Sequence, residues 1–526
     1  MAKKSKLTQK QIEKKAEALN NSRIMNVWRV SKYPEVKSVI DHLFSKMKAQ
    51  GIVSKRYADR HKRHVLAIVL DLYVAHLTDP KMYISYSRNR NDYYGKGSRY
   101  RNLLFGYDHT IKTIDFLKNN KYIEDVTGFH YKDIPDKSKV SRMRATRKLM
   151  ALFKKEKVVP GMMKRAEEEP VIILRNEKKK QIEFEDTEET KQMAENVRFF
   201  NRTLGKHAVL LYITDKDLNS LNEKQKKESG RGPIDLTDKR LCRIFNNGSS
   251  KEGGRFYGGW WQNVPRKYRK YIRINDKDVV ELDYSGLHIN MLYAMEKLPM
   301  PKGDVYKLEG YSNDEIFRKF VKKVLQAMLN ASTREVARNG IHKQVHRKKD
   351  VKLPPEVGST KGKDIFPIMD AFQKKHEPIK HYFCSGKGVD LQYLDSQMAE
   401  KVMVHFSKMG YAILPLHDSF IIHHGLEDEL KETMEKAFFD MFGVNSKVDL
   451  KYRSIEERDK KKPPKPPIEE WTPEYIKGRE DKSKSKELLA ERIPYSIYHK
   501  LLDEHRRLTN PKGPSGDSDV IDVPMD

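Results

Sequence analysis

Cysteine is nearly absent: Cys242 and Cys384 are the only two in 526 residues, and they lie far apart. That argues against a disulfide framework and a cysteine-based zinc site, and it fits a reducing compartment. Acidic residues are in deficit, with 74 Asp and Glu against 104 Lys and Arg, a formal net charge of +30. A surplus this large, spread along the chain, points to a polyanionic partner, nucleic acid first. No apolar run approaches the ~20 residues of a membrane span. The basic N-terminus has no apolar core behind it, so it does not read as a secretory signal. These lacks predict a cytoplasmic protein with no membrane contact. No paired-acid pattern of a proofreading nuclease precedes residue 279.

What is present is concentrated in three stretches. Residues 279–284, VVELDY, read as a strand with Val280, Leu282 and Tyr284 on one face and Val279, Glu281 and Asp283 on the other. Ser285-Gly286 is a turn signal, and 287–298 then reads as a helix. Asp283 is either a helix cap or a metal-binding acid at a strand end. Residues 411–424, YAILPLHDSFIIHH, read as a hairpin with Asp418 at its tip. If Asp283 and Asp418 meet over one sheet, they can hold two divalent ions about 3.5–4 Å apart, as phosphoryl and nucleotidyl transfer requires. Residues 316–332 read as a helix with Ile316, Phe320, Val324, Leu325, Met328 and Leu329 in one apolar stripe. On a different face Arg318, Lys322, Gln326 and Asn330 recur every fourth position. Two cations and two amides in a row suit a nucleotide, with Arg318 and Lys322 toward the triphosphate and Gln326 and Asn330 nearer base and sugar. An ordinary solvated face is the other reading of that row.

Taken in order, these stretches resemble the family A DNA polymerases and their relatives, the phage-type single-subunit RNA polymerases. The family's Gly-Arg followed by Gln-Asn-hydrophobic-Pro is matched by Gly254-Arg255 and Gln262-Asn263-Val264-Pro265. Motif A is matched by Asp283-Tyr284-Ser285, and motif C by His417-Asp418-Ser419. Motif B is matched by the helix carrying Arg318, Lys322, Gln326 and Asn330-Ala331. The resemblance spans about 200 residues, 254–451. It implies catalysis by Asp283 and Asp418 with two Mg2+ ions, and nucleotide contacts from the motif B row, Tyr284 and His288. It also implies nucleic-acid contacts from Arg255, Gln262, Asn263, Gln397 and His417, the last orienting the primer terminus. Departures concern the sugar. His288 stands where many relatives have Glu, Asn330-Ala331 stands for Tyr-Gly, Gln326 stands at the aromatic position, and Ser419 replaces a second acid. His288 is also readable as a helix residue bonded to the Asp418 loop.

The implied fold is α+β: a polymerase right hand of palm, fingers and thumb, with a mostly helical N-terminal domain of winged-helix-like pattern. The expected organisation is a basic arm at 1–35, a nucleic-acid-binding domain at 36–155 and a thumb-like or connecting region at 156–250. Palm and fingers follow at 251–455, and a Pro/Lys-rich linker, a terminal helix and an acidic tail at 456–526. Within 36–155, a helix after Asp108 would enter a groove with Lys112, Lys118 and Lys121 near phosphates; a generic α+β unit with a basic face is equally compatible. Residues 171–184 read as a hairpin, 207–214 as a strand and 215–238 as a charged loop. The function expected first is a template-directed DNA polymerase of the kind carried by phages and mobile elements, acting on DNA template-primer and nucleoside triphosphates. An RNA polymerase or primase is second, and a non-catalytic DNA-binding replication-initiation protein third.

Overall fold

The computed structural model of the chain describes residues 13, 17, 19–94, 99–101, 105–129, 138–275, 277–312, 314–348, 352–360 and 364–453. The first 18 residues of the expected basic arm, apart from 13 and 17, and the expected linker, terminal helix and acidic tail at 456–526, lie outside the described residues. The described chain is mixed α/β and contains two apolar cores.

The first core belongs to residues 19–163. Strand β1 (Ser22–Ile24) precedes helices α1 (Pro34–Ala49) and α2 (Ala58–Thr78). Pro34, whose missing N–H costs nothing in a first turn, starts α1. Its buried positions, Val36, Val39, Ile40, Leu43, Phe44 and Met47, keep three- and four-residue spacing, so one face packs on α2. Strand β2 (Tyr83–Tyr86), helix α3 (Tyr107–Asn119) and strands β3 (Ile123–Val126) and β4 (Ser141–Ala145) follow. The sheet order is β1-β2-β4-β3, antiparallel except where β1 joins β2. The basic stretch at 141–154 thus divides into a strand and helix α4 (Arg147–Lys155). Lys118, expected near phosphate, pairs with Asp125 at 2.9 Å.

A buried ion network joins this unit to the rest. Arg29 bonds Asp71 of α2 through Nε at 2.8 Å and Asp235 through a terminal nitrogen at 2.7 Å. Arg165 bonds both Glu169 and Asp238. Arg29 is 4% exposed and Asp71 0%, so each charge depends on its partner.

The second core spans residues 171–448. Strand β5 (Ile172–Leu174) pairs in parallel with β7 (Cys242–Asn246); the expected hairpin is present as a short turn, with a bridge between Arg175 and Gln181 and the Ile182 N–H donating to the Leu174 carbonyl at 3.0 Å. Helix α5 (Glu188–Gly205) carries a capping box at Thr187 and Thr190. Strand β6 is short, Val209–Leu211. The stretch expected as a loop is helical over Asp215–Ser229: Thr214 caps it by accepting from the Asp217 N–H, and left-handed Gly230 ends it. Strands β8 (Ser249–Tyr257) and β9 (Ile272–Ile274) lead to β10 (Val279–Tyr284). Helices α6 (Leu287–Met295), α7 (Glu315–Asn330), α8 (Phe366–Lys375) and α9 (Gly388–Lys408) follow. The hairpin β11 (Ile413–Pro415) and β12 (Ser419–His423), helix α10 (Glu427–Phe442) and strand β13 (Val448–Arg453) complete the unit. One antiparallel sheet, ordered β11-β12-β10-β13, holds both predicted acids. Four of the six β10 residues lie at 3% exposure or less, because sheet neighbours cover both edges and α10 packs against the strand.

Arg243 fixes the position of α9 against the β7–β8 pair. Fully buried, it donates to the Gly254 carbonyl, to Ser396 Oγ at 2.9 Å and to Glu400 at 2.7 Å. Gly254, at φ +72°, lies so close that a Cβ would meet Phe245 at 2.7 Å and Ser396 Oγ at 3.0 Å.

Candidate active site

The two acids meet. Strands β10 and β12 pair with Asp283 opposite Ser419, and the Tyr284 N–H donates to the Asp418 carbonyl at 3.3 Å. Asp283 does not cap α6: the residue before that helix is left-handed Gly286, and no side chain bonds its first turn. Burial and the nearby charge of Asp418 push the Asp283 carboxyl up to about 6. His417, at φ +70°, makes the corner that turns Asp418 outward.

The sheet edge supplies a cation. In the pairing of β10 with β13, Glu281 faces Tyr452 and Leu282 faces Leu450, so Lys451 is the extra residue of a β-bulge. Its Nζ lies 2.6 Å from Asp283 Oδ2. Behind the pair, buried Glu281 takes an ion pair from Arg269 and a hydrogen bond from Ser419 Oγ at 3.2 Å.

Helix α7 supplies the other cations. Asp314 caps it through the Phe317 N–H, and the buried stripe runs Phe317, Phe320, Val321, Val324, Leu325, Met328 and Leu329. Ile316, expected in the stripe, is 43% exposed, and its neighbour Phe317, at 1%, takes the buried first-turn position instead. Arg318 and Lys322 both stand over the Tyr306 ring, 5.2 and 4.9 Å from its centroid. Burial, followed by the charges of Arg318 and Lys451, pulls the Lys322 ammonium down. Burial, then the nearby Asp418, pushes the Tyr306 phenol up to about 12. Arg318 also pairs with Asp304 at 2.5 Å. Lys375, at the end of α8, donates to the Asp304 and Lys307 carbonyls and straps that loop in place. A cavity of about 210 Å³ opens here, lined by Asp304, Tyr306, Lys307, Ser312, Phe317 and Arg318. Gln326 is exposed on the same row and accepts from Lys323, whereas Asn330 bonds the Gln326 carbonyl and Gln392.

The remaining expected site residues fall into two groups. Tyr284 points away from the acids: its hydroxyl donates to the buried Met434 carbonyl at 2.6 Å, which makes it a core strut. Gln262 is spent inside the chain, accepting from the Gly258 N–H and donating to the Phe256 and Pro415 carbonyls. With Trp261 Nε1, which donates to the same Pro415 carbonyl at 3.0 Å, it braces the Asp418 hairpin from behind. His288 bonds Asp395 of α9 at 3.1 Å and not the Asp418 loop. Arg255 binds the same carboxylate. Although burial opposes it, the His288 bond and the Arg255 charge hold the Asp395 carboxyl below its usual range. Asn263 is exposed and accepts from Arg231, and Gln397 donates to the Tyr393 hydroxyl. The His417 ring meets Tyr257 edge-on at 5.3 Å, and burial lowers its basicity.

Sequence reading missed Lys451, Tyr306, Asp304 and Asp395. Only Asp395 had a local signal, lying two residues before the expected nucleic-acid contact Gln397.

Among the described residues, no group of three or more His, Cys, Asp or Glu side chains gathers to hold a metal ion. The donor set present is two carboxylates with cations on their flank. That set fits Mg2+, which commonly takes one or two carboxylates and draws its other ligands from water and substrate phosphates. Among the described residues, no helix is long and apolar enough to cross a membrane.

No family model matches the chain, and no curated protein matches it. Among solved structures, a similar one is the POL domain of Pol1 from M. smegmatis in complex with DNA primer-template and dNTP. It is 12% identical, with a TM-score of 0.30, over 45% of this chain and 51% of that one. The chain therefore spans about half the length of that structure, at a likeness too low to carry the functional reading.

Proposed function

We propose that this chain is a template-directed nucleotidyltransferase, a DNA polymerase of family A type. The observation that carries the reading is the convergence of Asp283 and Asp418 on one sheet, faced by Lys322 and Lys451. Asp283 and Asp418 would hold two Mg2+ ions, which when bound sharpen the attacking hydroxyl and stabilise the leaving pyrophosphate. The protein's own residues do the rest. Arg318 and Lys322 neutralise the triphosphate, and the Tyr306 ring holds both cations near it. Gln326 lies further along the row, toward base and sugar. His417 lines the primer side, Arg255, Asn263 and Gln397 line the template-primer side, and Gln262 holds the acid hairpin in register.

One observation favours ribonucleotides as the alternative substrate. His288, where relatives place a Glu, is tied to Asp395 and presents no free carboxylate. Primer extension with Mg2+, run in parallel with dNTPs and NTPs, separates the two. Asp283→Ala or Asp418→Ala should abolish incorporation while leaving template-primer binding within about twofold. Incorporation by the double variant would overturn the reading, and DNA binding with no incorporation by the parent would select a replication-initiation role.

A further inference from the structure

We infer that Lys451 is the resident counter-cation of the carboxylate pair, and that a divalent ion loads by displacing it. The inference rests on reading Asp283 and Asp418 as metal ligands. Three observations support it.

The first is placement. Lys451 reaches Asp283 only because β13 carries one extra residue opposite Glu281 and Leu282. A bulge disturbs the ladder and leaves a residue unpaired, and bulges recur beside active sites because they re-aim a side chain. The side chain re-aimed here is an ammonium, put 2.6 Å from a carboxylate oxygen.

The second is charge balance. Glu281 lies behind the pair and is already met by Arg269 and Ser419. Lys451 is the cation in direct contact with Asp283, where like charges would otherwise crowd one sheet.

The third is where the ammonium can go. Lys451 and Lys322 are near enough for each to feel the other's charge. A displaced Lys451 thus moves along the flank where Arg318 and Lys322 offer positive charge to a triphosphate. Metal entry and triphosphate entry are thereby coupled: the nucleotide supplies the anion that Lys451 loses. Lys451 acts on the reaction through Asp283 and is a positioning residue.

The test is Mn2+ binding to the full chain without nucleotide, followed by the paramagnetic signal of free Mn2+. Removing the competing charge in Lys451→Met and Lys451→Gln should tighten Mn2+ roughly tenfold, as expected for deleting a close like charge. Lys451→Arg should stay within about twofold of the parent, because the charge remains. Two neutral variants are used so that a packing defect in one does not decide the result. Unchanged or weaker Mn2+ binding in both neutral variants overturns the inference. If Asp283→Asn still abolishes Mn2+ binding in that case, the metal site stands and only Lys451 has been misread. If Asp283→Asn leaves Mn2+ binding untouched, the polymerase reading falls and takes this inference with it.

Discussion

Arg318 has a carboxylate on it before any nucleotide arrives. Asp304 pairs with its guanidinium, and although burial opposes this, the Arg318 bond holds the Asp304 carboxyl below its usual range. A triphosphate must replace that carboxylate. Asp304→Asn should therefore lower KM for the nucleotide by roughly three- to tenfold at nearly unchanged kcat, because the lost competition acts on ground-state binding. Steady-state extension kinetics read this directly; a kcat loss with KM unchanged would contradict it. At this scale the sequence was informative about placement: it put Asp283 at a strand end beside the hairpin of Asp418, and Arg318 and Lys322 on one helical row, which is where they lie in the structure. It was silent on Lys451, whose aim depends on a bulge, and on Asp304 and Tyr306, which come from a segment without periodicity. It misplaced Tyr284 and Gln262 because a motif states which residues occur together, not which way each one faces.

Elements were legible in proportion to their amphipathicity. Helix α7 begins and ends within a few residues of the expected bounds, because its buried positions recur at helical spacing. The helix over Asp215–Ser229 buries only Leu218 and Leu221 and is specified chiefly by its two caps, so its charged sequence read as a loop. Strand β5 finds its ladder partner far off in sequence; β7 lies some 70 residues on, where hairpin logic does not reach. The contact between α2 and α3 carries its own chemistry. His61 and His64 are each 1% exposed. His61 Nε2 bonds Thr113, while His64 bonds the Arg60 carbonyl and accepts from the Gly106 N–H. Burial lowers both imidazoles to about 4. A folded value below the unfolded ~6.5 means that this stability is full above pH 6.5 and is lost as pH falls toward 4. Each histidine would cost about 3 kcal/mol at the full shift. Urea unfolding followed from pH 7 to pH 5 should show the midpoint falling, and His61→Gln should make the fall shallower.

The two cores meet through charge as well as through apolar contact. Arg29 bridges Asp71 on one side and Asp235 on the other. Removing it in Arg29→Ala leaves Asp71 with Arg23 but strips Asp235 of its buried partner. The expected cost is about 3–5 kcal/mol. Because the loss falls on the junction, scanning calorimetry should resolve two transitions where the parent gives one; a single transition, merely shifted, would count against a junction role. The central sheet adds a constraint of timing. The strand bearing Asp283 is flanked by one segment some 140 residues further along and by another some 170 residues further along. Until a ribosome has released residue 423 both borders of that strand are raw hydrogen-bonding edges, and one stays raw until residue 453, open to pairing with a neighbouring nascent chain. Slow synthesis across 285–447 is therefore the interval in which this molecule is most exposed to aggregation.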